Sequence, residues 1–162
     1  MIWNQLNRPL VFQLLCIAGS LPKTTTWALN PVETILLVDD DLGFVFWLGR
    51  VLDDAGYVAF PAKSVVDASS LIVQCQLVVD LLIINSALAG ASAFVKELRN
   101  SRPALEVLGV VDQTGPGGNL GYPAFTVPKP ETSDSESELE LLANVEQLLM
   151  RSRQVKSYSN PA

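Results

Sequence analysis

The sequence predicts an α/β domain built on a doubly wound, five-stranded parallel sheet. Two observations carry that prediction. First, short apolar runs alternate with stretches whose apolar residues recur at helical spacing, the pattern of βαβ units covered on both faces. Second, Asp39, Asp40 and Asp41 stand directly behind the first apolar run, and Lys129 stands ninety residues later, behind the last. In a doubly wound sheet the carboxyl ends of such strands lie at one crevice. Three carboxylates at the exit of a buried strand repel one another and lose hydration. A metal ion, a lysine or water has to relieve them.

The elements follow in order. Thr34, Ile35, Leu36, Leu37 and Val38 form a continuous apolar run, as expected of a buried parallel strand. Phe44, Leu48, Val51, Leu52 and Ala55 then recur at helical spacing, and Gly56 supplies the stop. A second strand is expected over 57–60. Ser64 with Asp67 makes a capping-box-like start for a helix through Gln74. Residues 77–84 are nearly all aliphatic and give the strongest strand signal. A short helix over 91–99 ends before Pro103. A fourth strand is expected over 107–111 and a fifth over 124–127. Ser135 with Glu138 is read as the cap of a last helix, whose buried stripe is Leu139, Leu142, Val145 and Leu149. Between the fourth and fifth strands, residues 112–123 contain four glycines and two prolines. The crossover helix of that connection is therefore expected to be reduced or absent.

Composition narrows the function. The chain has 162 residues, enough for one sizeable core; 49% are hydrophobic and 17% charged, so it folds. A net charge of −6 argues against nucleic-acid binding, which relies on Lys and Arg to neutralise phosphates. Cys16 and Cys75 suggest neither a disulfide framework nor a zinc site. There is no histidine, which removes the commonest general base. Residues 1–32 read as an extension, disordered or weakly signal-like. Its apolar stretch, residues 9–21, is too short for a membrane span, which needs about 20 residues. Residues 33–150 are the expected domain and 151–162 a C-terminal tail. Six acids and no base occur from Glu131 to Glu146, followed by Arg151, Arg153 and Lys156. That order suits the dipole of a helix.

Residues 33–150 resemble the receiver domain of bacterial two-component response regulators. The resemblance rests on the acids behind the first strand, the strand pattern Val79-Asp80-Leu81-Leu82-Ile83-Ile84 and the Lys129-Pro130 pair. It implies a flavodoxin-like fold. It also implies that Asp39 and Asp40 hold Mg²⁺, that Lys129 contacts a phosphoryl group and that the Lys-Pro bond is often cis. The departures from the family matter more. The position of the phosphorylated aspartate is Asn85, whose neutral amide is a poor nucleophile and a poorer metal ligand. The switch position, a hydroxyl residue in the family, is Val111, and the loop after Asn85 is short. Asp80 and Asp112 are the other acids near strand ends, and neither has the family's setting for an acceptor.

The reading that results is a non-enzymatic, cytoplasmic, receiver-like docking module in two-component phosphorelay signalling, with no catalytic residue. It works independently of phosphorylation, with a protein partner such as a histidine kinase and no cofactor beyond the implied Mg²⁺. Two alternatives stand beside it: an ordinary phosphorelay receiver whose acceptor lies elsewhere, and a small ligand-binding flavodoxin-like protein. The last lacks a Gly-rich loop after the first strand.

Overall fold

A computed structural model describes residues 32–112, 120, 124–131 and 134–158, with side chains as far as Gln154. Its elements are β1 (Thr34–Val38), α1 (Leu42–Asp54), β2 (Val58–Ala62), α2 (Val65–Cys75), β3 (Leu81–Asn85), α3 (Ala91–Ser101), β4 (Glu106–Val111), β5 (Phe125–Pro128) and α4 (Ser135–Tyr158). The five strands form one parallel sheet in the order β2-β1-β3-β4-β5. The expected doubly wound architecture is present. The expectations for the extension and for most of the fourth crossover fall on residues 1–31, 113–119 and 121–123, outside the described residues.

Strand alternation sorts the core into two layers. Ile35, Leu37, Leu81, Ile83, Leu108 and Val110 face α1 and α4. Leu36, Val38, Leu82, Ile84 and Val107 face α2 and α3. Each fully buried Leu, Ile or Val contributes on the order of 1.5–3 kcal/mol relative to exposure. Gly109 in β4 opens room on the second face. A Cβ there would stand 3.0 Å from Leu120 Cδ1 and 3.1 Å from Thr126 Oγ1. Leu120 is buried in that layer, and its carbonyl accepts a bond from the Ser92 hydroxyl.

The helix signals hold at both ends of the first crossovers. Asp41 caps α1, its Oδ1 accepting the Phe44 N–H at 3.1 Å, and Gly56 takes the left-handed conformation just past the helix. Ser64 caps α2: its hydroxyl accepts the Asp67 N–H and donates to the Asp67 carboxylate at 2.7 Å.

Four expectations need correction. The third strand starts at Leu81 rather than Leu77. The carbonyls of Leu77 and Val79 are served by the Arg102 guanidinium instead of a neighbouring strand, which leaves that stretch outside the ladder. The cap of α4 is Asp134, whose Oδ1 accepts the Ser137 N–H at 2.9 Å, not Ser135. The buried stripe of α4 is Leu141, Val145, Leu148 and Leu149, while Leu139 is 68% exposed. That set follows the i, i+4, i+7, i+8 rule, which the stripe starting at Leu139 does not. The helix also continues past Met150 to Tyr158, so the boundary drawn there falls inside α4. Ser152 is buried, and Arg153 grips Glu33 through two 2.7 Å bonds.

Candidate functional site

Parallel pairing brings the carboxyl ends of β1, β3, β4 and β5 to one edge of the sheet. Val38 pairs with Ile84, Asn85 with Val110, and Val111 with Pro128. Asp39 leaves β1 with its N–H bonded to the Ala62 carbonyl, which fixes its direction. Lys129 leaves β5 with its N–H on the Val111 carbonyl at 2.7 Å. The two side chains then meet.

Lys129 Nζ lies 3.0 Å from Asp39 Oδ1, 3.3 Å from Asp41 Oδ2 and 3.5 Å from Asp112 Oδ1. It also stands 4.8 Å from the centre of the Phe44 ring, within cation–π range. Asp39 is 1% exposed. Its Oδ1 takes three donors: the Asp41 N–H at 2.9 Å, Lys129, and the Asn85 amide at 3.5 Å. Asn85 spends its own carbonyl on the Ala87 N–H at 2.9 Å. Asp39 Oδ2 and Ser86 Oγ are buried without a hydrogen-bond partner among the described residues.

Of the residues singled out in the sequence, Asp39, Asn85 and Lys129 are brought together. Asp40 is not: it is exposed, with no hydrogen bond or ion pair among the described residues. Val111 ends β4, and its carbonyl holds the Lys129 N–H. Asp80 lies at the opposite end of the sheet, where its carboxylate accepts the Thr34 N–H at 2.9 Å. Sequence reasoning placed Asp41 among the three acids but gave it no role in the site, and it left out Phe44. Their spacing, an acid three residues before an aromatic at a helix start, is an N-cap signal that could have found them. Asp112 stands at the rim, as its place behind the fourth strand implies. The described residues contain no cis peptide bond, so Lys129-Pro130 is trans.

The donor set does not fit Mg²⁺. That ion demands octahedral oxygen coordination, with at least one or two free carboxylates. Here the ammonium of Lys129 already occupies the space between Asp39, Asp41 and Asp112, and Asp40 is exposed to solvent. Among the described residues no group of three acids, histidines or cysteines could hold a metal ion.

Burial pushes the Asp39 carboxyl above its ordinary range, against the Asp41 N–H and Lys129, which pull it down. The Phe44 N–H, with help from Lys129, holds Asp41 below its ordinary range. For Lys129, burial works against the charge, but Asp39 and Asp41 outweigh it and raise the pKa. The signs give distinct windows. A raised Lys129 stabilises the fold fully below its unfolded pKa, about 10.4, and that contribution is lost as pH rises through the folded value. A depressed Asp41 stabilises above its unfolded pKa, about 3.9, and loses that on acidification. A raised Asp39 does the reverse, so the two carboxylates oppose each other in acid. The larger change is therefore expected on the alkaline side. Urea midpoints at neutral pH and above about pH 10.5 should fall more in the unmutated protein than in Lys129→Met. Tyr57, whose pKa is also raised by burial, titrates in both and cancels in that difference. Equal falls in the two proteins would refute the assignment.

No family model and no curated protein matches this sequence. Solved structures do. A response regulator receiver domain protein (CheY-like) from Methanospirillum hungatei JF-1 superposes with a TM-score of 0.62 at 18% identity, covering 76% of this chain and 98% of that one. The signal receiver domain of a putative LuxO repressor protein from Vibrio parahaemolyticus gives 0.62 at 16% identity, covering 80% and 98%. The N-terminal domain of a response regulator/sensory box/GGDEF 3-domain protein from Carboxydothermus hydrogenoformans gives 0.61 at 20% identity, covering 79% and 100%. The chain thus has the flavodoxin-like, CheY-like fold that receiver domains of two-component systems share.

Proposed function

We propose that this protein is a receiver-like docking module of two-component signalling, working in the cytoplasm through protein contacts and independently of phosphorylation of its own chain. The observation that carries this reading is the occupied crevice. A neutral amide stands at the end of β3, and a buried lysine is held by Asp39, Asp41 and Asp112. A phosphoryl group would need a carboxylate to form the acyl phosphate and cations to neutralise its oxygens. Asn85 cannot supply the first, and Lys129 is already committed.

The test is intact mass after incubation with acetyl phosphate and Mg²⁺. The unmutated protein is expected to show no phosphoryl adduct. Asn85→Asp is expected to show slow labelling at most, because Val111 has no hydroxyl to contact the transferred group. An adduct on the unmutated protein, mapped to any aspartate, would favour the ordinary phosphorelay reading instead.

A further inference from the structure

We propose that the outward face of α2 is a contact between two copies of this chain, packed antiparallel about a two-fold axis that passes between Ser69 and Ser70. The proposal goes beyond the docking-module reading and does not depend on it. Ala68 is buried in the second core layer, and Leu71 and Ile72 pack against that layer. The opposite side of the helix is Val66, Ser69, Ser70 and Val73, all exposed. Their spacing of i, i+3, i+4 and i+7 puts them on one face. Val66 is 74% exposed and Val73 76%, more than any other large apolar residue among the described residues. Two such residues one heptad apart on a single face mark an interaction site better than scattered ones do.

Burying this face costs little. The Ser69 hydroxyl donates to the Val65 carbonyl at 2.9 Å and the Ser70 hydroxyl to the Val66 carbonyl at 3.0 Å, so both donors are already satisfied within the helix. No charge has to be desolvated either. The exposed residues of α2 are Val66, Ser69, Ser70, Val73, Gln74 and Cys75, and none is charged. Its one acid, Asp67, is half-buried and bound to the Ser64 hydroxyl at the helix start. The other helices differ: α1 exposes Asp53 and Asp54, α3 exposes Lys96 and Glu97, and α4 exposes Glu136 and Glu140.

Charge and symmetry select a second copy as the occupant. Two chains of net charge −6 repel each other. They approach most easily where neither presents a charge, and among the helices described that place is α2. A two-fold contact uses the same patch on both copies, so a residue at one end meets the residue at the other end. Val66 and Val73 lie equally far from the midpoint between Ser69 and Ser70. Each Val66 therefore faces Val73 of the second copy, and the small serines sit where the two backbones approach. An anionic membrane finds no Lys or Arg on this face to attract it. The helix has 11 residues, which at about 1.5 Å each is about 16 Å of contact. That buries less than the roughly 1,200 Å² of a stable interface, so the dimer is weak and reversible.

The test is sedimentation velocity on the full chain, from about 10 μM to about 1 mM. A monomer–dimer equilibrium with a Kd on the order of 100 μM is expected. It should tighten as salt rises from about 0.1 M to about 1 M, because screening removes the repulsion between the two net charges. Val73→Asp should weaken the dimer at least tenfold, since it sets a charge against an apolar side chain. Leu139→Asp adds the same charge at an exposed position on α4 and should weaken it far less. Val66→Lys combined with Val73→Asp should recover much of the affinity, because antiparallel packing then sets a cation against an anion twice across the axis. A monomer at every concentration would overturn the proposal, and so would a dimer that loosens in salt. Equal losses in Val73→Asp and Leu139→Asp, or no recovery in the double variant, would overturn it as well. A phosphoryl adduct on the unmutated protein would defeat the docking-module reading and leave these results unchanged, so the two failures are distinguishable.

Discussion

Lys129→Met is expected to lower the unfolding free energy by about 3–5 kcal/mol, the scale for removing one partner of a buried ion pair. The methionine keeps the apolar stem against Phe44 and deletes the ammonium. Asp39, 1% exposed, then loses the cation that stands 3.0 Å from its Oδ1. Asp41 and Asp112 lose the same cation. Asp39 has two responses open to it: it stays charged in a dry site, or it takes up a proton. Burial already pushes its pKa upward, so proton uptake becomes the easier course. The deficit of the variant should therefore shrink as pH falls toward the carboxylate range. Asp112→Asn, at the half-exposed rim, should cost much less than the lysine change, because exposed pairs contribute about 0–1 kcal/mol. Urea unfolding at neutral pH measures both. A loss below about 1 kcal/mol for Lys129→Met would show that the crevice is wet and the lysine incidental.

The same lock shows where sequence reading succeeds and where it stops. Asp39, Asn85 and Lys129 were legible because strand order and strand exits are set by apolar periodicity, and a parallel sheet aligns those exits. The choice between Asp40 and Asp41 was not legible. Adjacent residues at a strand end differ only in the turn that the chain takes into α1. That turn is decided by the cap: Asp41 bonds the Phe44 N–H, which aims its other oxygen at Lys129 and leaves Asp40 outside. The face of α4 was misread for a related reason. The helix has more leucines than one stripe needs, so periodicity alone permitted a stripe through Leu139. Packing against β4 and α1 selected Leu141 and Leu148 instead. The start of β3 was misread because its carbonyl partner is a side chain, Arg102, that comes from beyond α3.

Ending the chain at Met150 is expected to destabilise the domain by about 2 kcal/mol, the middle of the range for hydrogen bonds to charged groups. Charge order suggested that Arg151, Arg153 and Lys156 merely suit the helix dipole, and the tail was placed outside the domain. The structure gives two of the residues beyond Met150 long-range contacts. Ser152 is 2% exposed, and its hydroxyl donates to the Ala104 carbonyl at 3.5 Å. The Arg153 guanidinium donates to both oxygens of Glu33, each at 2.7 Å, in the two-pronged geometry that makes such pairs strong. Glu33 is buried and stands immediately before β1, where its carbonyl also accepts the Val58 N–H. Truncation leaves that carboxylate without its guanidinium, at the point where the first two strands start. Solvent reduces the effect, because the arginine side chain itself is 61% exposed, which is why the expectation stays well below that for Lys129. Ending the chain after Gln154 instead should retain nearly full stability, and Arg153→Gln in the full chain should reproduce most of the loss. If all three forms unfold at the same urea concentration, Arg153 and Glu33 contribute nothing net and the domain does end at Met150.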